Sequence, residues 1–209
     1  MQLRRFLSKT SYYSLINETN KKRCQELLLS KPNLSKSYKN SAVLVPLCIV
    51  NDELSLLFTV RTHHLPTHKG QVSFPGGKVD DSDNKDPIKT ALREAKEEVG
   101  INESDVDVWG TMFRLPARHG MAIHPVLGVL KNPLNLDSLS VNTGEVAKVF
   151  TVTLSELSRH ARYTIWKERS IALPVYNCPG KDKVWGFTAM VTHLALKLVT
   201  PDLYKFDLP

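Results

Sequence analysis

The stretch LREAKEEVGI, residues 92–101, decides how the rest of the chain is read. It sets Arg93, Glu94, Lys96, Glu97 and Glu98 directly before Gly100. Two readings compete: the solvated face of an ordinary helix, or three carboxylates collected to hold a metal. Upstream, Asp86 is a good helix N-cap and Pro87 suits the first helical position, while Gly100 is a natural stop. At about 100° per residue, Ile88, Ala91, Leu92, Ala95 and Val99 share one arc and read as core. Glu94, Glu97 and Glu98 share an adjacent arc. Like charges at i,i+4, such as Glu94 and Glu98, destabilise a helix by roughly 0.2–0.5 kcal/mol, and a cation between them relieves this.

The helix alone favours the solvated face, and the sequence before it shifts the balance. Pro75-Gly76-Gly77 leads out of a strand, and the loop that follows carries Asp80, Asp81 and Asp83. Adjacent glycines permit close approach of a ligand. An all-oxygen donor set suits a hard cation, Mg²⁺ or Mn²⁺, and not zinc.

Working outward, TNKKRCQELLLS (19–30) reads as an amphipathic helix ended by Lys31-Pro32, and 33–41 as a linker. SAVLVPLCIV and LSLLFTVR, separated by Asn51-Asp52-Glu53, form a hairpin signal. QVSF, DVDVWGTMFR, HPVLGVL, EVAKVFTVTL, YTIW and ALPVYN are strand candidates. LSELSRHA reads as a short helix and VWGFTAMVTHLALKLV as the closing one, with Trp109 and Trp185 assigned to packing. Strands on both sides of a central helix predict a mixed α/β (α+β) domain with helices packed on sheets.

With 209 residues, 42% hydrophobic and 23% charged, the chain has the make-up of one soluble globular domain with an extension. No apolar run reaches the roughly 18 residues of a membrane span. Cys24, Cys48 and Cys178 follow neither disulfide-framework nor zinc spacing, which predicts a reducing compartment. The formal charge of +7 lies wholly in residues 1–40, where nine Lys and Arg face two Glu; beyond them nineteen bases meet nineteen acids. Nucleic acid is therefore not an expected partner, since the domain itself has no basic excess. The first seventeen residues, MQLRRFLSKTSYYSLIN, hold no acid. Their basic, serine-containing, amphipathic make-up predicts a mitochondrial (matrix) targeting segment, with a cytoplasmic protein bearing a basic terminus as the alternative. The chain ends in FDLP, which is not a peroxisomal SKL-type signal. The expected divisions are 1–17 for targeting, 18–40 for helix and linker, 41–200 for the main domain and 201–209 for a tail.

Residues 93–101, REAKEEVGI, match every fixed position of the second half of the Nudix hydrolase signature, and here the chain resembles that family. Gly77 matches the signature's opening glycine. Asp83 follows after five intervening residues, where the family usually has Glu, and the spacing from Asp83 to Arg93 is two residues longer than the pattern. The segment LLFTVRTHHLPTHKGQVSFPGG (56–77) resembles the additional motif of the coenzyme A diphosphatases in that family, through Arg61, Gly70 and Phe74-Pro75-Gly76-Gly77. Thr62 replaces a usual Ser or Ala, and Pro66 a usual Arg. His63, His64, His68 and Lys69 are candidate replacement cations.

The resemblance implies a Nudix-like mixed β-sheet sandwiched between helices. It implies Mg²⁺-dependent (or Mn²⁺-dependent) hydrolysis of CoA or acyl-CoA to 3′,5′-ADP and 4′-phosphopantetheine or its acyl form. Glu94, Glu97 and Glu98 become the metal ligands, and one of them, or Glu145, the general base. Arg93 becomes the residue that orients Glu97, and Arg61, Lys69, Gly76 and Gly77 the substrate contacts. Two rivals remain: a Nudix hydrolase acting on NADH, dinucleotides or capped RNA, and a non-catalytic binding module. Oligomeric state is not legible in the sequence.

Overall fold

A computed structural model describes residues 14–28, 39–65, 67–117, 121–166 and 170–209. Most of the expected leader, and Pro66, lie outside the described residues. Helix α1 (Glu18–Leu27) precedes β1 (Lys39–Val50), β2 (Glu53–Arg61), β3 (Val72–Ser73) and β4 (Gly76–Lys78). Helix α2 (Pro87–Val99) is followed by β5 (Val106–Thr111), β6 (Leu115–Ala117), β7 (Met121–Leu130) and β8 (Val146–Thr153). Helix α3 (Leu154–His160), β9 (Ala161–Trp166), β10 (Ile171–Tyr176) and α4 (Gly186–Val199) complete the chain.

The eight-stranded sheet runs β3-β2-β1-β7-β5, with β4 on β1, β6 on β7 and β8 on β2; β9 and β10 pair separately. Strands β1 and β7 are parallel at the centre, and the other pairings are antiparallel, so the sheet is mixed. The turn Asn51-Asp52 joins β1 to β2 with positive φ at both residues, the conformation that matches strand twist in a two-residue hairpin. Along one edge of β1 the partner changes from β4 (Ser41–Val43) to β2 (Leu47–Val50). Pro46, which has no N–H to give a ladder, falls in the interval between them.

The sheet is buried on both faces, which is why β1 reads as a continuous apolar run. Ala42, Leu44 and Cys48 of β1 meet Ala91, Leu92, Ala95 and Val99 of α2 on one face. Val45, Leu47 and Ile49 face the other way, toward Ala189, Val191, Ala195 and Leu196 of α4. This is the expected sandwich of sheet between helices. Three readings of detail change. Strand β1 starts at Lys39, inside the supposed linker. Trp109 is packed at 3% exposure, but Trp185, at the N-cap of α4 where the helix begins, is 49% exposed. The segment 201–209 is no free tail: Tyr204 is buried and bonded to His193 and Tyr176. Among the described residues no helix is long and apolar enough to cross a membrane.

Candidate active site

Helix α2 positions the site. Asp86 caps it by accepting from the Ile88 N–H at 2.9 Å, Pro87 opens it, and Gly100 ends it in the left-handed region at φ 75°. Its polar face is graded. Glu97 is exposed, Glu94 is half-buried, and Glu98 is buried at 3%. The helical wheel placed Glu98 beside the core arc; β4 and the end of β2 then cover it. One Glu98 oxygen accepts from the Gly76 N–H at 3.3 Å, and the other lies 3.8 Å from the Arg61 guanidinium. Burial pushes its carboxyl up to about 7, against the opposing pull of the Gly76 N–H and of Arg61, with Glu94 and Glu145 adding like charge. Burial also raises Glu94, partly offset by Arg93.

Arg93 is the hub of the exposed side. It grips Asp83 with two bonds, Nε to Oδ1 at 2.9 Å and Nη2 to Oδ2 at 3.1 Å. It also reaches Glu97 at 3.0 Å, Glu94 at 3.0 Å and the Lys78 carbonyl at 3.3 Å. Asp83 is buried and further held by the Thr90 hydroxyl at 2.7 Å and the Asp80 N–H at 3.1 Å. The hydrogen bond from Arg93 holds its carboxyl down at about 2. Asp83 thus fastens the acidic loop to α2. Asp83 closes a short 3₁₀ turn, Asp81–Asp83, inside a capping box formed with Asp80, and the longer connection to Arg93 then runs through Asn84 and Lys85, both at positive φ. That closure was visible in the sequence only as a cluster of Asp.

The Glu94 carboxylate lies directly over Gly77, so a Cβ there would force that carboxylate to shift. Gly76 and Gly77 therefore act first on the protein's own carboxylates, one through its N–H and one through its missing side chain. Glu145 sits half-buried at the mouth of β8; its carbonyl accepts from the Thr62 N–H at 2.9 Å, and its charge reaches both Glu94 and Glu98. Thr62 also donates its hydroxyl to the Gly144 carbonyl at 3.1 Å, which ties β2 to that mouth.

The loop after Arg61 is closed at its base. Gly70 N–H donates to the Arg61 carbonyl at 3.1 Å, and Arg61 N–H to the Gln71 carbonyl at 3.0 Å. His63 lies against Gly70, and His63, His64, His68 and Lys69 are exposed on the loop. The Arg61 Nε is buried and has no hydrogen-bond partner among the described residues. A buried guanidinium N–H left in this state favours an incoming anion.

As arranged, no group of three or more His, Cys, Asp or Glu among the described residues closes into a metal cage. Arg93 draws Glu97 and Glu94 to one side, while Glu98 faces Gly76 and Arg61. The donors nevertheless fit a hard divalent cation. All are carboxylate oxygens on one helix, and Glu98 is a buried carboxylate whose nearest cation, the Arg61 guanidinium, stands 3.8 Å away.

A mixed sheet between helices, with REAKEEVGI on the helix beside a Gly-Gly strand, defines a class. The NUDIX domain model matches residues 39–173, and the chain belongs to the Nudix hydrolase family. Relatives narrow this further. The chain is 40% identical over 197 residues to the mitochondrial coenzyme A diphosphatase NUDT8 of Mus musculus, covering 91% of this chain and 92% of that protein. The human protein of the same name is 38% identical, covering 88% and 79%. Nudix hydrolase 3 of Caenorhabditis elegans is 36% identical, covering 84% and 80%. Among solved structures, a MutT/nudix family protein from Enterococcus faecalis aligns with a TM-score of 0.51 at 18% identity, over 92% of this chain and 75% of that one. That likeness supports the fold.

Proposed function

We propose that this Nudix hydrolase cleaves the diphosphate of coenzyme A and acyl-CoA, giving 3′,5′-ADP and (acyl-)4′-phosphopantetheine, in mitochondria. The observation that carries the substrate is the 40% identity to a mitochondrial coenzyme A diphosphatase across nine-tenths of both chains. Glu94, Glu97 and Glu98 are the side chains that would hold Mg²⁺ or Mn²⁺. When bound, such an ion offsets the negative charge that gathers on the phosphoryl oxygens. A water oxygen bonds to one phosphorus, the bond from that phosphorus to the bridging oxygen breaks, and the water gives up its proton. Glu97, which is exposed, and Glu94 and Glu145, which are half-buried, are the acceptors open to solvent.

Arg93 acts as a positioning residue, since its bonds to Asp83 fix the direction from which it holds Glu97 and Glu94. Arg61, through its unpaired Nε, and Lys69, from the adjacent loop, meet substrate phosphates. Gly76 and Gly77 let the diphosphate come close to the helix.

A second reading, hydrolysis of NADH, dinucleotides or capped RNA, is favoured by one observation: Pro66 stands where the coenzyme A motif usually has Arg. A product assay by mass spectrometry with CoA, NADH and dinucleotides, run with Mg²⁺ in ¹⁸O water, separates them. The proposal expects 3′,5′-ADP and 4′-phosphopantetheine as the fastest-formed pair, with ¹⁸O in one of them. A clear preference for NADH or dinucleotides contradicts it.

A further inference from the structure

We propose that residues 15–28 are part of the working enzyme, and that any leader removed on import is cut upstream of Leu15. The cut rests on the mitochondrial reading above; the retained segment rests on geometry alone. Asn17 is the N-cap of α1 and accepts from the Asn20 N–H at 2.8 Å. A cut after residue 17 would remove that cap and also Leu15 and Ile16, which pack on the main core. The Asn20 amide spans the two parts, donating to the Leu15 carbonyl at 2.9 Å and the Val199 carbonyl at 3.2 Å. Arg23 donates to the neighbouring Leu198 carbonyl.

The last carbonyls of a helix have no partner within it. Here α1 supplies those partners for α4, which is the helix that covers the face of the sheet opposite the site. Lys21 adds an ion pair to Asp107 at 2.8 Å, and the same carboxylate accepts from the Trp109 indole N–H at 3.2 Å. Cys24 and Leu28 are buried, and Gly110 leaves room for Leu28, whose Cβ would stand 2.9 Å from a Cβ placed there. Removing α1 would therefore orphan two carbonyls and leave Asp107, the partner of the Trp109 indole, without its ion pair. The acid-free stretch that reads as a leader has Arg4, Arg5 and Lys9 all upstream of this brace.

Two measurements decide it. In the first, the full chain is imported into isolated mitochondria and the intact mass of the recovered protein is read. A product that still contains Leu15, cut or uncut, is expected; one that begins at Ile16 or later overturns the proposal. Failure to import at all contradicts the mitochondrial reading, and the second measurement then decides the brace. It compares melting of the full chain, its Lys21→Ala variant, and chains starting at Ser14 and at Leu29. The Ser14 chain should melt with the full chain, Lys21→Ala roughly 2–4 °C lower, and the Leu29 chain at least about 5 °C lower or not fold. A Leu29 chain that melts with the full chain overturns the proposal, as does a Lys21→Ala variant with unchanged melting.

Discussion

The two faces of the sheet bury polar groups in opposite ways. Behind the sheet, His193 Nδ1, the Tyr204 hydroxyl and the Tyr176 hydroxyl form a closed chain at 2.9 and 2.8 Å. All three are buried, and each has found a partner within the fold. In front, Glu98 is as deeply buried but meets only a long N–H bond and a guanidinium at 3.8 Å, while Arg61 keeps an unpaired Nε. A network closed on itself stiffens a fold; one left open needs something from outside. The open one lies on the helix that carries REAKEEVGI, so the contrast separates architecture from chemistry.

Breaking the open face should cost activity before stability. Glu98→Gln or Glu97→Gln should lower kcat on the order of 10³-fold while the melting temperature stays at or above that of the parent. Near-parental turnover in a steady-state assay would remove both residues from the chemistry.

The same burial gives a pH signature in metal-free protein. The folded carboxyl of Glu98 sits at about 7 against an ordinary 4.5, so the folded state holds the proton more tightly than the unfolded chain. Its contribution is fully favourable below about 4.5 and is lost as pH rises through about 7, on the order of 3 kcal/mol in all. Denaturant titrations at pH 5 and pH 8 should show this decline in the parent and a flatter profile in Glu98→Gln. Equal declines in the two proteins would place the proton elsewhere.

Between the two faces stands Asp83, a closed contact that supports the open site. Asp83→Ala should cost about 2 kcal/mol of stability, because Arg93 and Thr90 lose charge-assisted bonds, and should lower kcat by loosening Glu97 and Glu94. The stabilising effect of Asp83 is present above pH 3.8 and is lost as pH falls through about 2. Behind the sheet, Tyr204→Phe should cost about 1–2 kcal/mol by thermal melt and leave kcat unchanged. A fall in kcat equal to that of Asp83→Ala would erase the distinction between the faces.

The helical half of this arrangement was legible because local signals agree: Asp86 and Pro87 at one end, Gly100 at the other, and apolar residues at helical spacing between them. The strands were legible from apolar runs and turn residues, with β1 shifted a few residues because its first positions, Lys39 to Ser41, are polar. What the sequence could not show depends on non-local packing. Periodicity groups Glu94, Glu97 and Glu98 on one arc, but only the close approach of Gly76, Gly77 and Arg61 makes them unequal. Asp83 looked like a displaced signature residue, and the capping box that brings it under Arg93 is a matter of loop geometry. Trp185 shows the reverse error, since an aromatic residue in an apolar run need not be covered.

The proposed chemistry requires that the α2 carboxylates take up a divalent ion. An electron-paramagnetic-resonance titration of free Mn²⁺ with the parent protein and with Glu98→Gln measures this without any substrate. Saturable uptake by the parent, weakened at least about tenfold in the variant, is the predicted result. Equal uptake by both proteins would contradict it.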